Sequence, residues 1–114
     1  MRFALVFVAA SGLLAAPFPS LAKSMSDGRY LRAERCLAYS ALSQLQGEGA
    51  PDVSLLTEIV GKEKKGRMAP VPQVAKQEAE DIKRAGARAN DAAEIERLRA
   101  KQTETCAGLV PVKP

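Results

Sequence analysis

The chain has 114 residues, with 17 Lys and Arg against 13 Asp and Glu, and a formal net charge of +4. It contains no histidine and no tryptophan, which excludes a catalytic histidine and a zinc site with histidine ligands. Charges of both signs are interspersed along the chain, a pattern typical of a solvated surface. We therefore expect no nucleic-acid partner.

Residues 1–22 have the layout of a secretory signal peptide. Arg2 precedes an apolar run over residues 3–16, and Ser20 and Ala22 supply the small residues of a cleavage site. The run is shorter than the roughly 20 residues that a membrane-spanning helix needs, so a retained anchor is the weaker alternative. We expect cleavage after Ala22 and export. The bacterial periplasm is favoured over secretion because the chain is short and has no Asn-X-Ser/Thr glycosylation site.

The first predicted helix begins a few residues after the cleavage site. Ser24 and Asp27 have the spacing of a capping box, and an N-cap at Ser26 or Asp27 is nearly as well supported. Glycine commonly follows the end of a helix, so Gly47 predicts that this helix ends at about Gln46.

The first predicted helix has two different faces. At about 100° per residue around the helix, its large apolar side chains share one arc and small side chains occupy the opposite side. The apolar arc comprises Tyr30, Leu31, Leu37, Ala38, Ala41, Leu42 and Leu45, and the small face comprises Ala33, Cys36, Ser40 and Ser43. A helix with two such faces belongs in the middle of a bundle or of a homodimer.

A second helix and a proline-rich connector follow. Pro51 suits the first turn of a helix, and Val53, Leu56 and Val60 recur at helical spacing after it. Residues 68–72 contain two prolines and predict an extended connector, because proline opposes helix continuation.

The last predicted helix covers residues 73–105 and would be about 50 Å long if it were unbroken. Its apolar stripe moves to another side of the helix near Asn90 and Asp91. A continuous but bent helix is favoured. The alternative is a break at which Asn90 caps a new helix.

Cys36 and Cys106 are the only cysteines in the chain. In an oxidising compartment such a pair predicts a disulfide, with two free buried thiols as the alternative. The bridge would hold the end of the last helix against the small face of the first, with the two Cα atoms within about 7 Å of each other.

These elements predict an all-α fold, a small bundle of two or three helices with one long C-terminal helix and one disulfide, preceded by a signal peptide. The helical domain would cover residues 23–108, and residues 109–114 would form a C-terminal tail.

No group of residues predicts catalysis. The chain has no histidine, its serines have no evident activating partner, and a disulfide leaves no thiolate nucleophile. No metal motif of recognised spacing is present. We therefore expect a protein that is not an enzyme and that has no catalytic residue, metal or cofactor.

Glu34 lies at the centre of the apolar arc of the first helix. A carboxylate there either reaches solvent past small neighbours or forms an ion pair that sets the packing register. The alternative is a pH-sensing carboxylate, whose protonation in mild acid would loosen the packing around it.

A basic cluster and one tyrosine are the remaining candidates for contact with a partner. Lys62, Lys64, Lys65 and Arg67 form the basic cluster, which either stabilises a helix C-terminus or contacts an anionic membrane surface or an acidic partner. Four charges are weak for lasting membrane attachment. Tyr39, near arginines on the helical wheel, either anchors an interface or packs over the disulfide or a neighbouring helix.

The sequence thus predicts a small exported, non-enzymatic protein that acts through contact with a protein partner, which the sequence does not identify. A homodimer is one form of that prediction. One alternative is an acid- or stress-responsive periplasmic holdase chaperone. Another is a protein that binds the envelope surface through the basic cluster.

Overall fold

The computed structural model describes residues 25–111, which form four α-helices and one 3-10 turn and contain no strand. The helices are α1 (Asp27–Ser40), α2 (Ser54–Lys65), α3 (Val71–Arg88) and α4 (Ala92–Cys106), and the 3-10 turn is Ser43–Leu45. The predicted all-α class is confirmed for these residues. The predicted signal peptide, the cap at Ser24 and residues 112–114 of the predicted tail lie outside them.

α1 begins as one of the sequence alternatives predicts but ends earlier. The Ser26 side chain caps the helix and accepts a hydrogen bond from the backbone N–H of Arg29 at 3.1 Å. The predicted end near Gln46 is wrong, because α1 stops at Ser40 and the chain turns through an extended Leu42. This turn buries Leu45 completely, so tertiary packing outweighs the local preference for more helix.

α2 begins three residues later than Pro51 predicts. Asp52 Oδ1 accepts hydrogen bonds from the backbone N–H and the hydroxyl of Ser54, and this local turn precedes the helix. Leu56 and Val60 are buried as the apolar spacing predicts. The predicted extended connector is shorter than expected, since Pro72 lies in the first turn of α3, a position that proline tolerates.

The predicted continuous helix over residues 73–105 is wrong. α3 and α4 are separate helices, and Asp91 rather than Asn90 is the N-cap of α4. The Asp91 carboxylate accepts a hydrogen bond from the backbone N–H of Glu94 at 2.8 Å, and the Glu94 carboxylate accepts one from the backbone N–H of Asn90 at 3.2 Å. These local bonds stabilise the start of a new helix.

Packing of α3 against α1 and the turn that follows it explains why the chain must turn back at this point. Leu42 packs on Gly86 near the end of α3, where an added Cβ would lie 2.6 Å from Leu42 Cδ2. A straight helix would carry Cys106 about 30 Å beyond Gly86. Cys106 is instead bonded to Cys36, with a Cα–Cα distance of 5.0 Å. The reversal between α3 and α4 makes that bond geometrically accessible.

α1 is the common packing partner of the other helices. The principal helix–helix contacts of the described residues all involve α1, and α2, α3 and α4 have few contacts with one another. The core cluster joins these helices through a small set of buried side chains. Its buried members are Tyr30, Ala33, Cys36, Leu56, Val60, Ala75 and Cys106.

The C-terminal end of α4 is held on α1 by two neighbouring side chains. The Cys36–Cys106 disulfide confirms the predicted bridge. One helical turn earlier, Arg32 Nε donates a hydrogen bond to the carbonyl of Thr105 at 2.9 Å, and the same guanidinium also bonds the carbonyl of Ala107. Gly108 then adopts a φ of 76°, and the turned chain packs Leu109 and Val110 against the core.

The double substitution Cys36→Ser/Cys106→Ser should lower the free energy of unfolding by about 4 kcal/mol in the chain-entropy model, because the bond closes a long loop. The loop spans a sequence separation of 70 residues. Urea denaturation followed by far-UV circular dichroism measures this change. Wild-type protein treated with a reductant is the control and should unfold at the midpoint of the double variant. A wild-type midpoint that does not respond to reductant would contradict the expectation.

Candidate functional site

The weak contact among the outer helices leaves an open cleft between α2 and α3, with α1 at its base. The α2–α3 cleft has a volume of about 440 Å³. Its lining combines charged side chains with short apolar ones. The lining residues are Glu34, Lys64, Pro72, Gln73, Ala75, Lys76 and Ala79. Two residues that the sequence marks for separate reasons, Glu34 and Lys64, therefore share one site.

Glu34 is half-buried and is oriented by a tyrosine one turn earlier on α1. The hydroxyl of the fully buried Tyr30 donates a hydrogen bond to Glu34 Oε2 at 2.6 Å. Burial, together with this hydrogen bond, raises the pKa of Tyr30 above its ordinary value, so the hydroxyl keeps its proton and remains a donor. Glu34 thus presents a carboxylate held by Tyr30 to the α2–α3 cleft.

The four residues of the basic cluster have different surroundings in the structure. Lys64 lines the α2–α3 cleft, whereas Lys62 lines a separate depression next to Gly66. Lys65 is exposed, and Arg67 turns inward, with 9% of its side chain exposed. Helical geometry accounts for the division, because Lys62 and Lys64 are about 160° apart around the helix axis at 100° per residue.

Arg67 joins the end of α2 to the start of α1. Its guanidinium donates to Asp27 Oδ1 at 2.6 Å, to the carbonyl of Met25 at 2.5 Å and to Glu63 Oε1 at 2.5 Å. It also lies over the ring of Tyr30, with 4.9 Å from Cζ to the ring centroid. Only 9% of its side chain is exposed. The bonds made by Arg67 are therefore internal, and they help to hold α2 against α1.

Glu63 completes this Arg67 network. Its carboxylate accepts a hydrogen bond from the backbone N–H of Met25 at 3.1 Å in addition to the bond from Arg67. The Met25 hydrogen bond and then the Arg67 contact hold the pKa of Glu63 below its ordinary value. Glu63 interrupts the basic cluster in the sequence, and its negative charge is balanced by Arg67 within the protein.

Tyr39 lies away from the α2–α3 cleft. It is half-buried on α1, and burial raises its pKa, with Arg35 opposing the shift and Glu104 of α4 adding to it. Tyr39 therefore belongs to the surroundings of the α1–α4 contact. Its role as an interface anchor stays a prediction.

Two residues are not marked in the sequence analysis. Lys76 belongs to the α2–α3 cleft, and Arg32 holds the end of α4 on α1. Lys76 lines the cleft from α3, next in sequence to the buried Ala75. No sequence signal marks it, since its position depends on how α3 docks. Arg32 could have been found from its place one turn before Cys36, where a long donor can reach the carbonyls at the end of the tethered helix.

The described residues contain no group of three or more side chains suited to hold a metal ion. Within the same part of the chain, none of the helices is both long enough and apolar enough to cross a membrane. Comparison with protein-family models, curated proteins and solved structures found no match to this chain.

Replacing Arg67 should destabilise the protein through loss of the Arg67 network. Arg67→Gln leaves the largely buried Glu63 carboxylate and the Met25 carbonyl with weaker partners, so we expect the free energy of unfolding to fall by about 2 kcal/mol. The matched control Lys65→Gln should change it by less than about 0.5 kcal/mol, because Lys65 is exposed. Urea denaturation of the two variants tests this difference, and equal midpoints would contradict the internal role of Arg67.

The lowered pKa of Glu63 also predicts a pH-dependent contribution to stability. Its stabilising effect is fully present above about pH 4.3, the ordinary glutamate pKa, and is lost as the pH falls through the lower pKa of the folded protein. The stability difference between wild type and Glu63→Gln should therefore be largest near neutral pH and should shrink towards about pH 3. Denaturation series across this pH range measure it, and a constant difference would count against the prediction.

Proposed function

We propose that this chain is a small exported, non-enzymatic protein that acts by contact with another protein through the α2–α3 cleft. The observation that carries the proposal is a concave site with a carboxylate held by Tyr30 and lysines on both walls. Concave sites with a few well-placed polar groups are where ligands and partner segments usually bind. The leader-like residues 1–22 and the Cys36–Cys106 disulfide support export, because disulfides persist in oxidising compartments.

The scaffold around the cleft suits a binding role. Tyr30 supports Glu34, and Tyr30 in turn lies against Arg67 and the core. The disulfide and Arg32 restrain α4 on the other side of the same helix. A site whose side chains are held in place before binding loses less conformational entropy when a partner docks.

A homodimer is less favoured than a different partner. The sequence argument for a dimer depends on two usable faces of α1, and within this chain α1 already packs against α2, α3 and α4. The residue that most defines the small face, Cys36, is completely buried by these contacts. A second copy is therefore not needed to cover that helix.

An acid-responsive holdase is the second candidate, and the Arg67 network is the observation that favours it. Protonation of Glu63 would weaken the link between the end of α2 and the start of α1. Separation of these helices would expose the apolar Leu56 and Val60. Suppression of client aggregation at about pH 3 but not at about pH 7 would support this candidate over a constitutive binding protein.

Binding to the envelope surface has weaker support than either of these functions. The residues of the basic cluster point in different directions, so they cannot all approach one planar surface. Arg67 forms internal bonds, so only the three lysines remain to bind a membrane. Each lysine would contribute about 1 kcal/mol of binding free energy near an anionic membrane surface.

Site-specific photo-crosslinking in the producing cells tests the proposed function. A photoreactive residue in place of Gln73, which is exposed and lines the α2–α3 cleft, should form an adduct with a partner protein. The same residue in place of Thr103, which is exposed on α4, is the control and should not form that adduct. Lys64→Gln/Lys76→Gln should reduce the Gln73 adduct. No adduct at Gln73, or the same adduct at both positions, would refute the cleft as the contact site.

A further inference from the structure

We propose that the α2–α3 cleft binds an acidic, extended segment of a partner polypeptide, with partner carboxylates on Lys64 and Lys76 and a partner N–H on Glu34. This inference rests on the proposed function and specifies the chemistry of the partner. Its support comes from the unpaired cations of the cleft, the position of Glu34 and the shape of the site.

The two lysines of the cleft outnumber its one carboxylate, Glu34, so the lining carries an excess of positive charge. Lys64 on α2 and Lys76 on α3 are exposed, and neither forms an ion pair or a hydrogen bond with any described residue. Glu63 binds Arg67 at 2.5 Å and Glu78 binds Arg35 at 3.3 Å, so neither carboxylate is available to these lysines. The lining of the cleft therefore holds two lysines against the single carboxylate of Glu34. Charge complementarity therefore favours an acidic partner at these two lysines.

Glu34 restricts which acidic partner fits. Its carboxylate lies in the same cleft as the two lysines and accepts the hydroxyl of Tyr30 through Oε2. A polyanion with negative charge at every unit would bring like charge against it. An acidic polypeptide alternates carboxylates with backbone N–H donors, so it can satisfy Glu34 and both lysines together.

The shape of the cleft favours an extended chain over a flat surface. Pro72, Ala75 and Ala79 contribute short apolar side chains to its lining, which leave room for a backbone to approach. The cations stand on the walls of a concavity of about 440 Å³. A planar lipid surface would meet the convex outer sides of the helices rather than both walls of the cleft.

The purified, oxidised protein and fluorescently labelled peptides provide the test. Fluorescence anisotropy should detect binding of an unstructured peptide rich in Asp and Glu, but not of its Asn and Gln analogue. Lys64→Gln/Lys76→Gln should weaken binding about three- to tenfold, the range expected for two solvent-accessible ion pairs. Lys83→Gln/Lys101→Gln removes the same charge from exposed lysines outside the cleft and should weaken it less than about twofold.

Inorganic polyphosphate tests whether the cleft selects polypeptide. Polyphosphate offers no N–H donor to Glu34, so wild type should prefer the acidic peptide. Glu34→Gln should narrow this preference, because it removes the carboxylate that repels polyphosphate. Equal changes in the affinities for the two ligands would overturn the proposed role of Glu34 and leave a general polyanion surface instead.

Three other results would overturn the inference. The first is an equal loss of peptide affinity in the cleft variant and in the control variant. The second is that the wild-type protein prefers phosphatidylglycerol vesicles to the acidic peptide. The third is that the wild-type protein does not bind the acidic peptide at all. Circular dichroism and intact disulfides verify that each variant is folded. If the Gln73 adduct forms in cells while acidic peptides do not bind, only this inference falls. If the adduct is also absent, the proposed function falls with it.

Discussion

The covalent link between Cys36 and Cys106 is the constraint on which the arrangement of the helices depends. It places the last residue of α4 beside the third turn of α1, and Arg32 adds hydrogen bonds to the carbonyls around the same helix end. With that end restrained, α4 has to run back along α1. The reversal between α3 and α4 is the geometric consequence, and the hydrogen bonds of Asp91 and Glu94 satisfy the backbone where it occurs.

A second principle is the different use of arginine and lysine. Arg32, Arg35 and Arg67 each bind oxygen atoms of another helix, as a planar guanidinium with several donors is suited to do. None of the lysines in the described part of the chain forms an ion pair. These three arginines therefore hold helices together, while lysine charge stays on the surface, where a partner can meet it. The α2–α3 cleft combines this surface charge with a carboxylate held from inside by Tyr30.

Much of the fold was predictable because its signals are local or strongly patterned. The apolar spacing placed Leu56 and Val60 correctly in the core, and the pair of cysteines predicted the bridge. The prediction of one helix over residues 73–105 is wrong because the helical propensity of an Ala-rich sequence does not reveal where α3 docks. The docking of α3 on α1, and of Gly86 on Leu42 just after α1, is what makes a straight helix incompatible with the disulfide.

By itself, the sequence determined the all-α class of the described residues, the cap at Ser26 as one of its alternatives, and the identity of the bridged cysteines. The residue types that cap helices, the spacing of apolar residues and the number of cysteines can all be read directly from the sequence. Tertiary structure alone decided that Arg67 turns inward and that Lys64, Lys76 and Glu34 meet in one cleft. These outcomes depend on the rotation and docking of separate helices, which bring together residues from α1, α2 and α3 that have no fixed spacing along the chain.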